Sequence, residues 1–350
     1  MLAVRHPLIL PYAGTSPALA TPLAHAGEGS AILGRVTLGR HAWVGHRTVL
    51  RADGHDVKAG DDFHAGARST LHIAHEVFPC IVGDRVTVGE DACVHACMVG
   101  SHVIVGDRTV ILDGAVVGDN VIFEPGSTVY PGKRIDGGHV YAGSPAKMVR
   151  PVDAGEVAKR REAMLASHKE AAPDCATSSI TASSKIDPSV FIASTARVRG
   201  RLLAAASCSI WFSNNFDVGE AGVSIGLRTN VQDNTVIRAV SRGVTIGADT
   251  TIGHNVTMED CSIGNHCLIG IGSHVAQDTV VEDHVLLAAS ARTEPGQVLE
   301  SGWLYAGSPA KKLTPLDQGK RDMIALIIVQ YRQYAMDYKA AEQALRKTGS

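Results

Sequence analysis

A chain of 350 residues is long enough for two domains of ordinary size, each with its own buried core. A formal charge of −2, with no block of like charge, excludes the clustered basic face that a nucleic-acid partner needs. Only 5% of residues are aromatic against 36 glycines, which excludes a core of large rings and points to stacked small aliphatic side chains.

The first twenty residues, MLAVRHPLILPYAGTSPALA, hold one early arginine and a proline-broken apolar stretch. They read neither as a secretion signal nor as a bilayer span, so a cytoplasmic protein with no membrane partner is expected. The cysteines stand at 80, 93, 97, 175, 208, 261 and 267, odd in number and without CxxC spacing. Buried free thiols in a reducing compartment follow, with Cys93 and Cys97 as small core residues.

From Val82 an aliphatic or aromatic residue recurs at Val88, Val94, Val99, Val105, Ile111, Val117, Phe123 and Val129, a step of six with a single five. Glycine follows at 83, 89, 100, 106 and 118. This period fits neither a helix nor simple strand alternation. It suits a chain that turns a corner every six residues, one side chain pointing inward per short strand and glycine relieving the corner. Three such strands make a triangular coil, and coils stack about 4.8 Å apart. After Pro151 the segment DAGEVAKRREAMLASHKE is rich in helix formers and closes a first domain, 1–170.

Residues 171–184, AAPDCATSSITASS, read as a linker to a second domain, 185–350. There the period returns at Ile246, Ile252, Met258, Ile263, Ile269 and Val275. The two halves end alike, VYAGSPAKMVRPV at 140–152 and LYAGSPAKKLTPL at 304–316. That offset of 164 carries Glu90 onto His254 and His95 onto Glu259. The predicted fold is all-β: two tandem left-handed parallel β-helix domains from one duplication, each followed by an α-helix. In the last helix Met323, Leu326, Ile327, Tyr331, Tyr334 and Tyr338 suggest an apolar face, packed on its own or a neighbour's β-helix.

Both halves resemble gamma-class carbonic anhydrases and their hexapeptide-repeat relatives. The first half does so through VLRAD (49–53), STLHI (69–73), VTVGEDACVHACMVG (86–100) and its YAGSPAK tail. In the second half the matching segments are SIWF (209–212), RTNVQDNTVIRA (228–239) and 244–273. The resemblance implies a homotrimer in which three histidines from two subunits hold a divalent metal, typically zinc, with iron or cobalt as alternatives. The positions supplied by one subunit are His72 and His95, and the neighbour's position is occupied by Glu90. In the second half these positions hold Arg238, Glu259 and His254, so one histidine survives. The family's inter-subunit Arg and Asp fall on Arg51 and Asp53, against Asp217 and Gly219 in the second copy. Its Gln-Asp pair is lost at Gly66 and Ala67 but kept at Gln232 and Asp233.

In the six-residue phase His72 and His95 each follow an inward aliphatic residue on one face, in consecutive coils, so their rings should stack. Glu90 faces another side and can reach such a pair only from another subunit. Two imidazoles, a carboxylate and an open position make a sound catalytic zinc site. A full three-histidine set with His254 is the alternative. Arg238 and Glu259 are expected to form an ion pair where the second copy would hold metal. His75, three residues beyond His72, is placed to shuttle a proton.

The implied activity is attack of metal-bound water or hydroxide on a small electrophilic carbon, with CO2 hydration or chemistry drifted from it on a small-molecule substrate. Two alternatives stay open: a hexapeptide acyltransferase using acyl-coenzyme A, with His72 or His95 as base, and a non-catalytic trimeric scaffold.

Overall fold

The structure is a computed structural model that describes residues 7–170 and 177–348. It divides into two compact units, Met1–Cys175 and Ala176–Ser350, each a β-solenoid of stacked parallel strands closed by one long helix.

In the first unit one face is a parallel ladder through the start of Val49–Ala59, then Thr70–His72, Cys93–His95, Val110–Ile111 and Thr128–Val129. The long strand Val49–Ala59 turns a corner and starts the second face, which continues through Cys80–Val82, Met98–Val99, Val116–Val117 and Arg134–Ile135. The third face runs from His25–Ala26 through Trp43–Val44, His64–Ala65, Thr87–Val88, Ile104–Val105 and Ile122–Phe123 to His139–Ala142. The solenoid therefore starts well before Val82, with Leu8–Leu10 and Ala31–Leu38 already in the stack.

The inward residues form columns. Leu50, Leu71, Val94, Ile111 and Val129 lie above one another and are all at most 1% exposed. Each such side chain contributes about 1.5–3 kcal/mol on burial. Cys80 and Cys97 belong to this interior, whereas Cys93, expected there too, is buried off the columns, in register with Thr70 and Val110 beside the inward Val94. The six described cysteines are all free and buried; Cys175 lies outside the described residues.

The glycines act differently from the expectation. The left-handed backbone of each corner is carried two residues further on, by Arg85, Asp91, His102 and Arg108 (φ 54–58°). Gly106 is needed because a Cβ there would lie 2.6 Å from the Phe123 carbonyl oxygen and 2.8 Å from the Pro125 nitrogen of the next coil. Gly83, Gly89, Gly100 and Gly106 serve close approach between coils, not relief of the turn.

The YAGSPAK segments reverse the chain in antiparallel pairs, His139–Ala142 with Lys147–Pro151 and Trp303–Ala306 with Lys311–Pro315. Helix α1 (Glu156–Glu170) then folds back on its own unit, where Val152, Val157 and Met164 pack on Ile104, Ile122 and Val140 of the third face. Helix α2 (Gln318–Thr348) does the same in the second unit. Its buried stripe is Ile324, Ile328, Tyr331, Tyr334 and Tyr338, whereas Met323 and Leu326 are exposed. The first turns of the helix are rotated from the expected face because Ile324, Ile328 and Tyr331, spaced four and three, align with the tyrosines below.

Of the expected linker, 171–176 lies outside the described residues. Ser179–Ile180 is already a strand of the second unit, paired with Arg199–Gly200. Among the described residues no helix is long and apolar enough to cross a membrane.

Candidate functional site

Strand pairing brings Arg51, His72 and His95 side by side on the first face, Arg51 opposite His72 and His72 opposite His95. The loop between His72 and Cys80 leaves the solenoid here, and Ala74 and Phe78 bridge its neck.

His72 Nδ1 and His95 Nε2 approach to 3.2 Å, with ring centroids 5.2 Å apart and planes tilted by 50°. The far nitrogens are each engaged by a carboxylate: His72 Nε2 by Asp53 at 3.1 Å, and His95 Nδ1 by Asp113 at 2.6 Å. Asp53 is in turn held by the Arg51 guanidinium, and both are fully enclosed. A neutral imidazole has one donor and one acceptor nitrogen. A carboxylate accepting from the outer N–H leaves the inner nitrogen of each ring with its lone pair directed at the same space. That donor set fits a divalent metal: two imidazole nitrogens converge, each with the carboxylate support that orients metal-bound histidines.

Arg51 and Asp53 therefore act on each other and on His72 within one unit. Asp113 is a site residue that the sequence reading missed. It stands two residues beyond the inward Ile111, off the register shared by His72 and His95, and its approach to His95 depends on the turn that follows.

Glu90 does not join the pair in its own unit. It follows Thr87–Val88 at the end of a third-face strand, and its backbone N–H donates to Asp107 at 2.9 Å. Burial, Asp107 and Asp91 push its carboxyl up from the ordinary range. The His75 ring lies against Gly54, where a Cβ would come within 2.1 Å of His75 Nδ1; it is thus next in line to Asp53. Phe78 of the same loop packs over Gly114, beside Asp113.

In the second unit Arg238 and Glu259 are in register, as expected, but they form no ion pair among the described residues. Arg238 is exposed, so its guanidinium is hydrated, and an exposed pair contributes little. The ion pair on this face is instead Arg199 with Asp217 at 2.8 Å. His254 is fully buried, its Nδ1 3.2 Å from the Asp233 carboxylate and its Nε2 3.4 Å from the Tyr331 hydroxyl of α2.

A family model described as bacterial transferase hexapeptide (six repeats) matches residues 96–131. The chain is 30% identical over 179 residues to "Gamma carbonic anhydrase 2, mitochondrial" of Arabidopsis thaliana, covering 46% of this chain and 64% of that protein. It spans less than two thirds of that relative. With protein YrdA of Escherichia coli (strain K12) it shares 32% identity over 124 residues, 33% of this chain and 67% of the other. The crystal structure of a hexapeptide transferase family protein from Anaplasma phagocytophilum is 31% identical, covering 44% of this chain and 92% of that one, with a TM-score of 0.43.

Proposed function

The chain belongs to the hexapeptide-repeat family, and from that premise we propose that its first unit is a metal-dependent enzyme resembling the gamma carbonic anhydrases. The observation that carries this reading is the convergence of His72 Nδ1 and His95 Nε2, each ring backed by a carboxylate.

His72 and His95 would hold the metal, with zinc favoured by two nitrogen ligands and an open position, and iron or cobalt as alternatives. The third donor comes from another copy of the repeat, Glu90 or His254, in an assembly of the homotrimeric kind. A divalent metal there supplies the Lewis acidity that makes water a nucleophile towards a small electrophilic carbon such as that of CO2. Arg51 fixes Asp53, Asp53 fixes the tautomer of His72, and Asp113 does the same for His95. His75, beside Gly54, is placed to take a proton from the site to solvent. A reducing, cytoplasmic setting suits the buried free thiols. The second copy, with Arg238 and Glu259 at the pair positions, holds no metal on its own first face.

The test is metal content per chain on purified, unchelated protein, with His72→Ala alongside. About one zinc, cobalt or iron per chain, lost in the variant, is expected for a single such site. No bound metal, even after added zinc, overturns the reading and leaves acyl transfer or scaffolding, which binding of acyl-coenzyme A separates.

A further inference from the structure

Away from the histidine pair, the corner between the second and third faces of the first unit carries one position through four successive coils: Arg85, His102, Asn120 and Gly138. All four have left-handed backbone, with φ of 55, 58, 57 and 76°. Each is fixed on the coil before it: the His102 N–H donates to Asp84, Asn120 to Ser101 and Gly138 to Asp119, at 2.9–3.0 Å. The lead-in and first turn of α1, together with Arg161, form the opposite wall of a groove of about 350 Å³.

Charge in this groove is unbalanced. Arg161 donates to the Thr87 hydroxyl and, at 2.6 Å, to the Asp62 carbonyl, both neutral acceptors. Among the described residues neither Arg161 nor Arg85 forms an ion pair. Burial and the neighbouring Arg85 push the Arg161 guanidinium down from its ordinary value, with Asp62 pulling the other way. The acidic groups nearby are already engaged. Asp62 contacts His41 at 3.2 Å, Asp153 lies 3.6 Å from Arg150, and Glu156 is bound by Arg150 and Arg160. Two guanidiniums thus line one groove from opposite walls, their repulsion offset only in part by Asp62, with a histidine and an amide along the same edge. Arginine's planar fork matches the oxygens of a phosphoryl group in two-point contacts. Four stacked coils give the groove a length of about 14 Å, room for more than one such group.

We propose that this groove binds a phosphate-bearing anion, its oxygens held between Arg85 and Arg161, with His102 and Asn120 donating along the corner. The site is independent of the histidine pair and belongs to the first copy alone, since the position of Arg85 is Asp249 in the second, paired with Arg228 at 2.5 Å.

Calorimetric titration of the full chain with sodium pyrophosphate at low ionic strength tests this, with Arg85→Gln and Asp153→Asn as variants. Saturable binding is expected, weakened about tenfold or more in Arg85→Gln, which removes a charge-assisted contact, and strengthened in Asp153→Asn. Both side chains are at the surface, so circular dichroism and Tm without ligand should match the parent protein. Titration with ADP separates the sources: tighter binding than pyrophosphate assigns the groove to the phosphates of a larger ligand, and equal binding to a free polyphosphate. Absence of saturable binding, or equal affinity in Arg85→Gln, overturns the proposal.

Discussion

Asp113 accepts a 2.6 Å hydrogen bond from His95 Nδ1, on the side of the ring away from His72. This contact leaves the lone pair on the His95 nitrogen that faces His72, so Asp113 would act on a metal held there without touching it. Replacing such a carboxylate lowers metal affinity about 10–100-fold in well-studied sites. Asp113→Asn is expected to show a loss of that size in competition against a chromophoric chelator. The Asp113 side chain is 42% exposed, so the thermal midpoint of the metal-free protein should stay put. Unchanged metal affinity in this variant would mean that the His95 tautomer is set elsewhere.

The third donor is decided by two substitutions read on metal content. Burial first, then Asp107 and Asp91, disfavours the anionic form of Glu90. His254 is an imidazole with the Asp233 carboxylate 3.2 Å from its Nδ1. On that chemistry, His254→Ala is expected to lose metal as His72→Ala does, and Glu90→Gln to keep it. The reverse pattern would assign the carboxylate as ligand.

A second histidine pair bears on stability. His64 Nε2 and His168 Nδ1 are 2.8 Å apart, joining the last turn of α1 to the third face. Trp43 stacks on His64 at 4.1 Å, and His25 stacks on the far side of Trp43 at 4.5 Å. Burial first, then His168, Arg161, Lys169 and His25, push His64 down to about 2. Burial also lowers His168, with Asp107 pulling the other way. The folded pKa lies below the unfolded value near 6.5, so below that pH the unfolded chain binds the proton first. Stability present above pH 6.5 is therefore lost on acidification, at up to about 1.4 kcal/mol per pH unit for one proton. Urea denaturation at pH 7.5, 6 and 5 should show a shallower acid loss in His64→Gln than in the parent protein. Parallel slopes would remove His64 from the account.

The solenoid is legible because a six-residue period survives any reading of side-chain size, and that period alone puts His72 and His95 in register. What escaped were contacts made by side chains leaving turns. Asp113 follows an ordinary Ile-Leu pair, and nothing in its spacing shows that it bends back to His95. The Arg238–Glu259 pair failed for the opposite reason: register puts two backbones side by side, but a long exposed side chain chooses water. In α2 several apolar residues compete for one stripe, and only packing shows that Ile324 and Ile328 win over Met323 and Leu326.

The repeat glycines give the sharpest contrast between period and cause. Gly106 has ordinary backbone, yet a Cβ there meets the backbone of the next coil at 2.6 Å, which no rotamer can relieve. Gly126 is the reverse, with φ of +74° and nothing within 4 Å of an added Cβ. Gly106→Ala must therefore push two coils apart, an overpacking cost of about 1–3 kcal/mol or more. Gly126→Ala meets only the left-handed penalty of about 1–2 kcal/mol. Removing a non-glycine left-handed residue at an exposed corner, as in Asn120→Gly, should be near neutral or slightly stabilising, since Asn120 already has φ of 57°. Denaturant midpoints of the three variants should fall in the order Asn120→Gly, Gly126→Ala, Gly106→Ala, from most to least stable. A Gly106→Ala protein as stable as Gly126→Ala would show that the coils can separate at little cost, and that the period of the glycines reflects something other than close stacking.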